Sequence, residues 1–264
     1  MADVLYENPL ASPGDLEGWV GEGPVRAEAW EDAAGGGAVV LSSSGDEAAV
    51  GDHAHFTLWC PERFPDRIRA SWEFRPVSEP GLAMVFVAAE GAAGEDLFDP
   101  ALAPRTGYYP QYHSGDIRAL HVSYFRHKHA SERAFRTCNL RKSPGFHLAA
   151  QGADPLPPAE DADRFYRAEL VKDGRRLAFS IEGLPLLDWT DDGAAGPPLA
   201  GGRLGFRQMA PLVAAYRNLR VESLGPSECR STVPGRHDRP SCGTVMPLSD
   251  GQGAFPTVVR GARS

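Results

Sequence analysis

An all-β jelly-roll sandwich of two antiparallel sheets is the fold that this 264-residue sequence predicts. Three observations carry the prediction. Nearly every apolar stretch alternates with period two or is short and continuous, as strands require, and helical stripes are almost absent. Gly 29 and Pro 23 together make up about a fifth of the chain, too much for a helical bundle and natural for strands joined by turns. A hydrophobic content of 42% over this length is enough to fill the core of a large domain.

The elements follow in order. In RIRASWEFR, Ile68, Ala70, Trp72 and Phe74 share one face and the arginines and Glu73 the other, which predicts a half-buried inner strand over 68–74. GLAMVFVAA, residues 81–89, is apolar on both faces and predicts a strand in mid-sheet with a second layer or a filled groove on each side. Residues 165–182 read as a hairpin, with Tyr166, Ala168 and Leu170 inward, a turn at Lys172-Asp173-Gly174, and Leu177, Phe179 and Ile181 returning. GGRLGFRQM and AAYRNLRVESL supply two later strands. The expected total is ten to fourteen strands in a domain spanning 1–225. From 226 to 264 the chain is rich in Pro, Gly, Ser and Arg, with little spaced apolar surface, and reads as a tail that is flexible or laid along the domain.

Composition also excludes function classes. A net charge of -8 argues against surface-wide attraction to nucleic acid or to an anionic membrane. No apolar run approaches the ~20 residues of a membrane span, and the start lacks a secretion signal, so a cytoplasmic location is expected. Cys60, Cys138, Cys229 and Cys242 are widely spaced and read as free thiols. No phosphate loop or dinucleotide fingerprint occurs, and no cofactor is expected. The pairs His53/His55 and His127/His129 have the period-two spacing that puts two imidazoles on one strand face, but Lys128 and the arginines flanking the second pair would repel a divalent cation there, and no metal is assigned to either. Asp188, Asp191 and Asp192 in DWTDDG suit a polar turn better than a calcium site.

The order DGRRLAFSIEGLPLLDWTDDG, GGRLGFRQM and YRNLRV resembles the closing strands of concanavalin A-like lectin/glucanase domains. The openings DLEGWVGEGPVRAEAWEDAAGGGAVVL and HFTLWCPERFPDRIRASWEFRP are similar to the same superfamily. SYFRHKHASERAFRTCNLRKSPGFHLAAQGADPLP, residues 123–157, more specifically resembles a bacterial YesU-like family of unknown function. The resemblance implies a jelly roll with a concave carbohydrate groove and a link to plant polysaccharide breakdown. The paired carboxylates of a retaining glucanase, an E-x-D-x-x-E strand, are missing, which counts against that hydrolysis.

Residues 118–147 hold seven bases against one acid, Glu132, together with His121, His127, His129 and His147. Arginine forks bind carboxylates, and histidine and tyrosine move protons, so this inventory suits an acidic oligosaccharide, which the family resemblance implies is of the uronate, pectin type. Arg126, Arg136, Asn139, Arg141 and His147 are the candidate binding residues, joined by Tyr109, Gln111 and His113 from the tyrosine-rich loop TGYYPQYHSGD. For lyase chemistry His121 is the candidate base and Tyr124 the candidate acid. Strict alternation points these two to opposite faces, and Tyr109 or Tyr112 is the alternative partner of His121. Two other readings stay open: a non-catalytic, lectin-like jelly roll, and a protein acting on an oxidised 3-keto glycoside.

Overall fold

The computed structural model describes residues 3–31 and 36–225. The expected tail, with Cys229 and Cys242, lies outside the described residues. Fifteen strands are described, one more than the upper expectation. In chain order they are β1 (Val4–Asn8), β2 (Val20–Glu22), β3 (Val25–Glu31), β4 (Gly37–Ser43), β5 (Phe56–Phe64), β6 (Ile68–Ser78), β7 (Gly81–Gly91), β8 (Ile117–His127), β9 (Thr137–Ser143), β10 (His147–Ala153), β11 (Tyr166–Asp173), β12 (Arg176–Ile181), β13 (Leu184–Thr190), β14 (Gly202–Met209) and β15 (Val213–Ser223). Helical segments are short, the longest described being Ala130–Phe135. No helix among the described residues is long and apolar enough to cross a membrane.

The strands form two antiparallel sheets, as the alternation predicts. One has eight strands, in the order β13-β12-β11-β6-β15-β4-β3, with β1 also pairing β15, and the other has seven, β10-β9-β8-β7-β14-β5-β2. The 68–74 segment lies within β6, between β11 and β15, and β7 lies between β14 and β8, so both are interior strands. The hairpin closes with Asp173 opposite Arg176.

Between the sheets, Ile68, Ala70, Trp72 and Phe74 meet Ala83, Val85, Leu120, Val122, Leu204 and Phe206, all buried in one cluster. Trp72 is 5.5 Å from Phe206 and 5.7 Å from Tyr124 between ring centroids, which makes it a core residue. Burial of an aromatic side chain of this kind is worth roughly 1.5–3 kcal/mol. A second, smaller cluster forms on the outer face of the seven-stranded sheet, where Trp59 and Phe86 are covered by Leu97 and Tyr112 of the long β7–β8 connection. That cover explains why β7 is apolar on both faces.

Cys60 and Cys138 are free and buried. The aspartates of DWTDDG serve the fold. Asp191 accepts from Lys142 Nζ at 2.7 Å and from Gly193 N at 3.0 Å, Asp192 caps Ala194 N, and Asp188 pairs with Arg176.

Candidate functional site

Antiparallel register sets the site, because residues opposite one another on neighbouring strands share a face. Across the seven-stranded sheet one row runs Thr57, Arg207, Met84, Ser123, Asn139, Gln151, from β5 to β10. The adjacent row runs Trp59, Gly205, Phe86, His121, Arg141, Leu148. Both rows face outward, away from the inter-sheet core. A bulge in β8 adds to them: Ala83 pairs Phe125 while Met84 pairs Ser123, so Tyr124 is the extra residue. Unbroken alternation from His121 and Ser123 would send Arg126 into the core. With the bulge, Arg126 stands opposite Leu82 on the outer face.

The connection between β7 and β8 covers one end of these rows. Glu22 anchors it, taking Arg105 Nη2 at 2.8 Å and the Tyr112 hydroxyl at 2.7 Å. Beneath it Arg207 is wholly buried, its guanidinium 4.7 Å from the ring centroid of Tyr109 and 4.8 Å from that of Tyr112. Arg207 Nη1 donates to Thr57 Oγ1 at 3.0 Å, while Nε and Nη2 have no hydrogen-bond partner among the described residues. The other end is open, where Gln151 is exposed and Leu148 is 51% exposed.

Between the two ends lies a cavity of about 140 Å³. Leu82, Met84, Ser123 and Asn139 form its floor on the sheet, and Tyr109, Arg126, Glu132, Arg141, Phe146 and Met209 complete its lining. Arg126 is neutralised by Glu132 at 2.6 Å. Arg141 donates Nη1 to the Phe146 carbonyl at 2.9 Å and lies 3.8 Å above the Phe146 ring centroid. Of the seven bases in 118–147, five meet carboxylates: Arg118 with Glu90, Arg126 with Glu132, Lys128 with Glu47, Arg133 with Glu160, and Lys142 with Asp191. Arg136 is held by backbone carbonyls. Among the described residues, Arg141 is the base of this run that faces the cavity with no carboxylate in ion-pair range.

Behind Tyr109 lies His121, which is fully buried, with Nε2 2.9 Å from the Tyr109 hydroxyl. Burial pushes the Tyr109 phenol up to about 12. Burial, then the charges of Arg141 and Arg207, push the His121 imidazole down to about 3. Phenol and imidazole are therefore both neutral near pH 7, joined by one hydrogen bond.

Several expected site residues are placed elsewhere. Tyr124 is a correction: it points into the inter-sheet core against Phe74, 5.1 Å between centroids, and cannot share a ligand with His121 on the outer face. Arg136 caps the 130–135 helix with φ 51° and donates to the Asp154 carbonyl, so it braces the 154–156 segment and not the cavity. His147 sits opposite Lys142 in register, on the face away from Arg141, and is exposed. Gln111 accepts from Thr106 N at 2.9 Å and donates to Pro104 O, a brace inside the loop. His113 packs at a tilt against Phe146, 4.4 Å between ring centroids, and so braces a residue of the cavity wall.

Residues that the sequence reading did not single out for the site include Leu82, Met84, Ser123, Glu132, Phe146, Met209 and Arg207. The GFR signature around Gly205 was the available signal for the last.

A cluster of Glu47, Asp52 and His55 offers three ligand atoms within 4.8 Å of one another. It does not suit a metal. Ala210 N donates to His55 Nδ1 at 3.0 Å, which leaves the imidazole proton on Nε2, facing Asp52 at 3.3 Å, and the Lys128 ammonium already occupies Glu47.

Residues 3–221 match a family described as a domain of unknown function, DUF1961. The chain is 56% identical over 219 residues to the uncharacterized protein YesU of Bacillus subtilis (strain 168), covering 82% of this chain and 94% of that one. A crystal structure of a Bacillus subtilis protein of unknown function with a galectin-like fold superposes with a TM-score of 0.75 at 54% identity, over 84% of this chain and 98% of that one. The carbohydrate recognition domain of Emp47p shares the fold at a TM-score of 0.51 and 12% identity, over 84% of this chain and 97% of that one.

Proposed function

The chain belongs to the DUF1961 family, and from the cavity on its outer sheet we propose that it binds a saccharide carrying a carboxylate, of the uronate type. One observation carries this reading: the Arg141 guanidinium stands at the cavity without a carboxylate partner among the described residues. A planar fork held on Phe146 suits bidentate capture of an incoming carboxylate. The rest of the lining suits a pyranose, whose C–H faces meet Leu82, Met84 and Met209 and whose hydroxyls meet Ser123 and Asn139. The galectin-like fold of its 54%-identical relative agrees with a saccharide ligand. A cytoplasmic setting, in which imported oligosaccharides are the supply, belongs to the same reading.

The Tyr109–His121 hydrogen bond favours a second step, elimination. Docking a carboxylate on Arg141 offsets one of the charges that keep His121 neutral. Tyr109 can then take the C5 proton as its own proton moves to His121 Nε2. The C5–H electrons form the C4–C5 double bond, the C4–O bond breaks, the departing oxygen takes the C5 proton from Tyr109, and His121 Nε2 returns to Tyr109 the proton it had accepted.

Calorimetry and mass analysis with a panel of uronate and neutral oligosaccharides test both parts. Preferential binding of the uronates is expected, with unsaturated products if elimination follows. Equal affinity for neutral and acidic sugars contradicts the first part, and bound but unchanged uronates contradict the second.

A further inference from the structure

We infer that the cavity receives one terminal unit of an oligosaccharide and does not hold a chain passing through it; this rests on the saccharide reading above. The walls argue for it. Toward β14 and β5 the sheet is sealed, since Arg207 and Trp59 are fully buried under the connection that Glu22 anchors, and Tyr109 stands at that boundary. Along the strands, the 144–146 turn closes one side with Phe146, and the 130–135 helix closes the opposite side with Glu132.

Among the described residues only the side toward β10 is left open, where Leu148 and Gln151 continue the two rows as exposed side chains. A polymer crossing the site needs two open sides, and this one offers a single exit. Its size agrees, because about 140 Å³ lies well below the roughly 300–1,000 Å³ of ordinary ligand pockets and leaves room for one ring. The second sugar unit then lies over β10, and Gln151, which donates to Asn139 at 2.8 Å, is placed to meet both units.

Calorimetry on the full chain with galacturonate trisaccharide and hexasaccharide, and with the trisaccharide capped at either end, tests this. One cap is borohydride reduction of the reducing end, and the other is O-methylation of the non-reducing end. Affinity per chain is expected to stay the same, within about threefold, between trisaccharide and hexasaccharide, and one cap alone is expected to weaken binding by about tenfold or more. Affinity per chain that climbs with the number of internal units, or binding indifferent to both caps, overturns the terminal-unit inference while leaving the uronate reading intact. Absence of binding to every uronate overturns the uronate reading and this inference with it.

Discussion

The Tyr109 hydroxyl reaches Nε2 of His121 at 2.9 Å although Tyr109 lies in the β7–β8 connection and His121 in the middle of β8. The contact depends on the outer-face position of His121, which the register opposite Phe86 and Arg141 fixes. It leaves Tyr109 lining the cavity, with the imidazole one layer behind. Replacing Tyr109 with Phe keeps the wall and removes the transferable proton. Formation of unsaturated product is expected to fall by about 10²-fold or more, as for loss of a general acid or base, while binding measured by calorimetry changes little. A parallel loss of affinity and rate would instead make the hydroxyl a binding group alone.

Acid sensitivity follows from two buried histidines. Burial and the arginine charges hold His121 down to about 3, and burial with Arg207 holds His55 down to about 4. Unfolded, both take protons near pH 6.5, so between pH 6.5 and 5 the unfolded chain binds protons that the folded chain refuses. Stability therefore decreases as pH falls, by about 1.4 kcal/mol per pH unit for each fully refused proton. Urea midpoints at pH 5, 6 and 7 are expected to drop toward acid, with a shallower decline in a His121→Gln variant. A flat profile for the wild-type chain would show that these imidazoles accept protons when folded.

Gly205 leaves room for a ring in the row of His121. A Cβ there would lie 2.3 Å from Trp59 Cε3, and Trp59 has no freedom to retreat under Phe86 and Tyr112. Gly205→Ala is expected to destabilise by about 1–3 kcal/mol through overpacking, lowering Tm by several degrees. An unchanged melting curve would mean that the cover over Trp59 is loose.

The sheets were legible in the sequence where alternation was unbroken, as from Ile68 to Phe74. Alternation failed at Tyr124, because the bulge is set by pairing with Ala83 and Met84 some forty residues earlier. The same bulge brings Arg126 to the cavity, so its outer-face position could not follow from its own segment. The basic run was visible as composition, yet its meaning depended on Glu47, Glu90, Glu160 and Asp191, acids remote in the chain that neutralise four of its bases. Local charge counts cannot see such partners. Met84 carries no distinctive local pattern, and Arg207, although it ends the Gly205-Phe206-Arg207 signature, is brought beside it only by a cross-strand row that joins residues far apart in sequence.

Capture of a carboxylate by Arg141 is the central claim, and a comparison of two ligands isolates it: a galacturonate oligosaccharide and its counterpart with the carboxyl groups reduced to hydroxymethyl. With Arg141→Ala, affinity for the acid should fall by about ten- to a hundredfold, since a charge-assisted fork is worth roughly 1.5–3 kcal/mol, while the weaker affinity for the reduced sugar should hardly move. Arg141→Lys should restore part of the loss, because an ammonium keeps the charge without the planar fork. An Arg141→Ala variant that binds the acid as tightly as the wild-type chain, or that loses both ligands equally, would contradict the account.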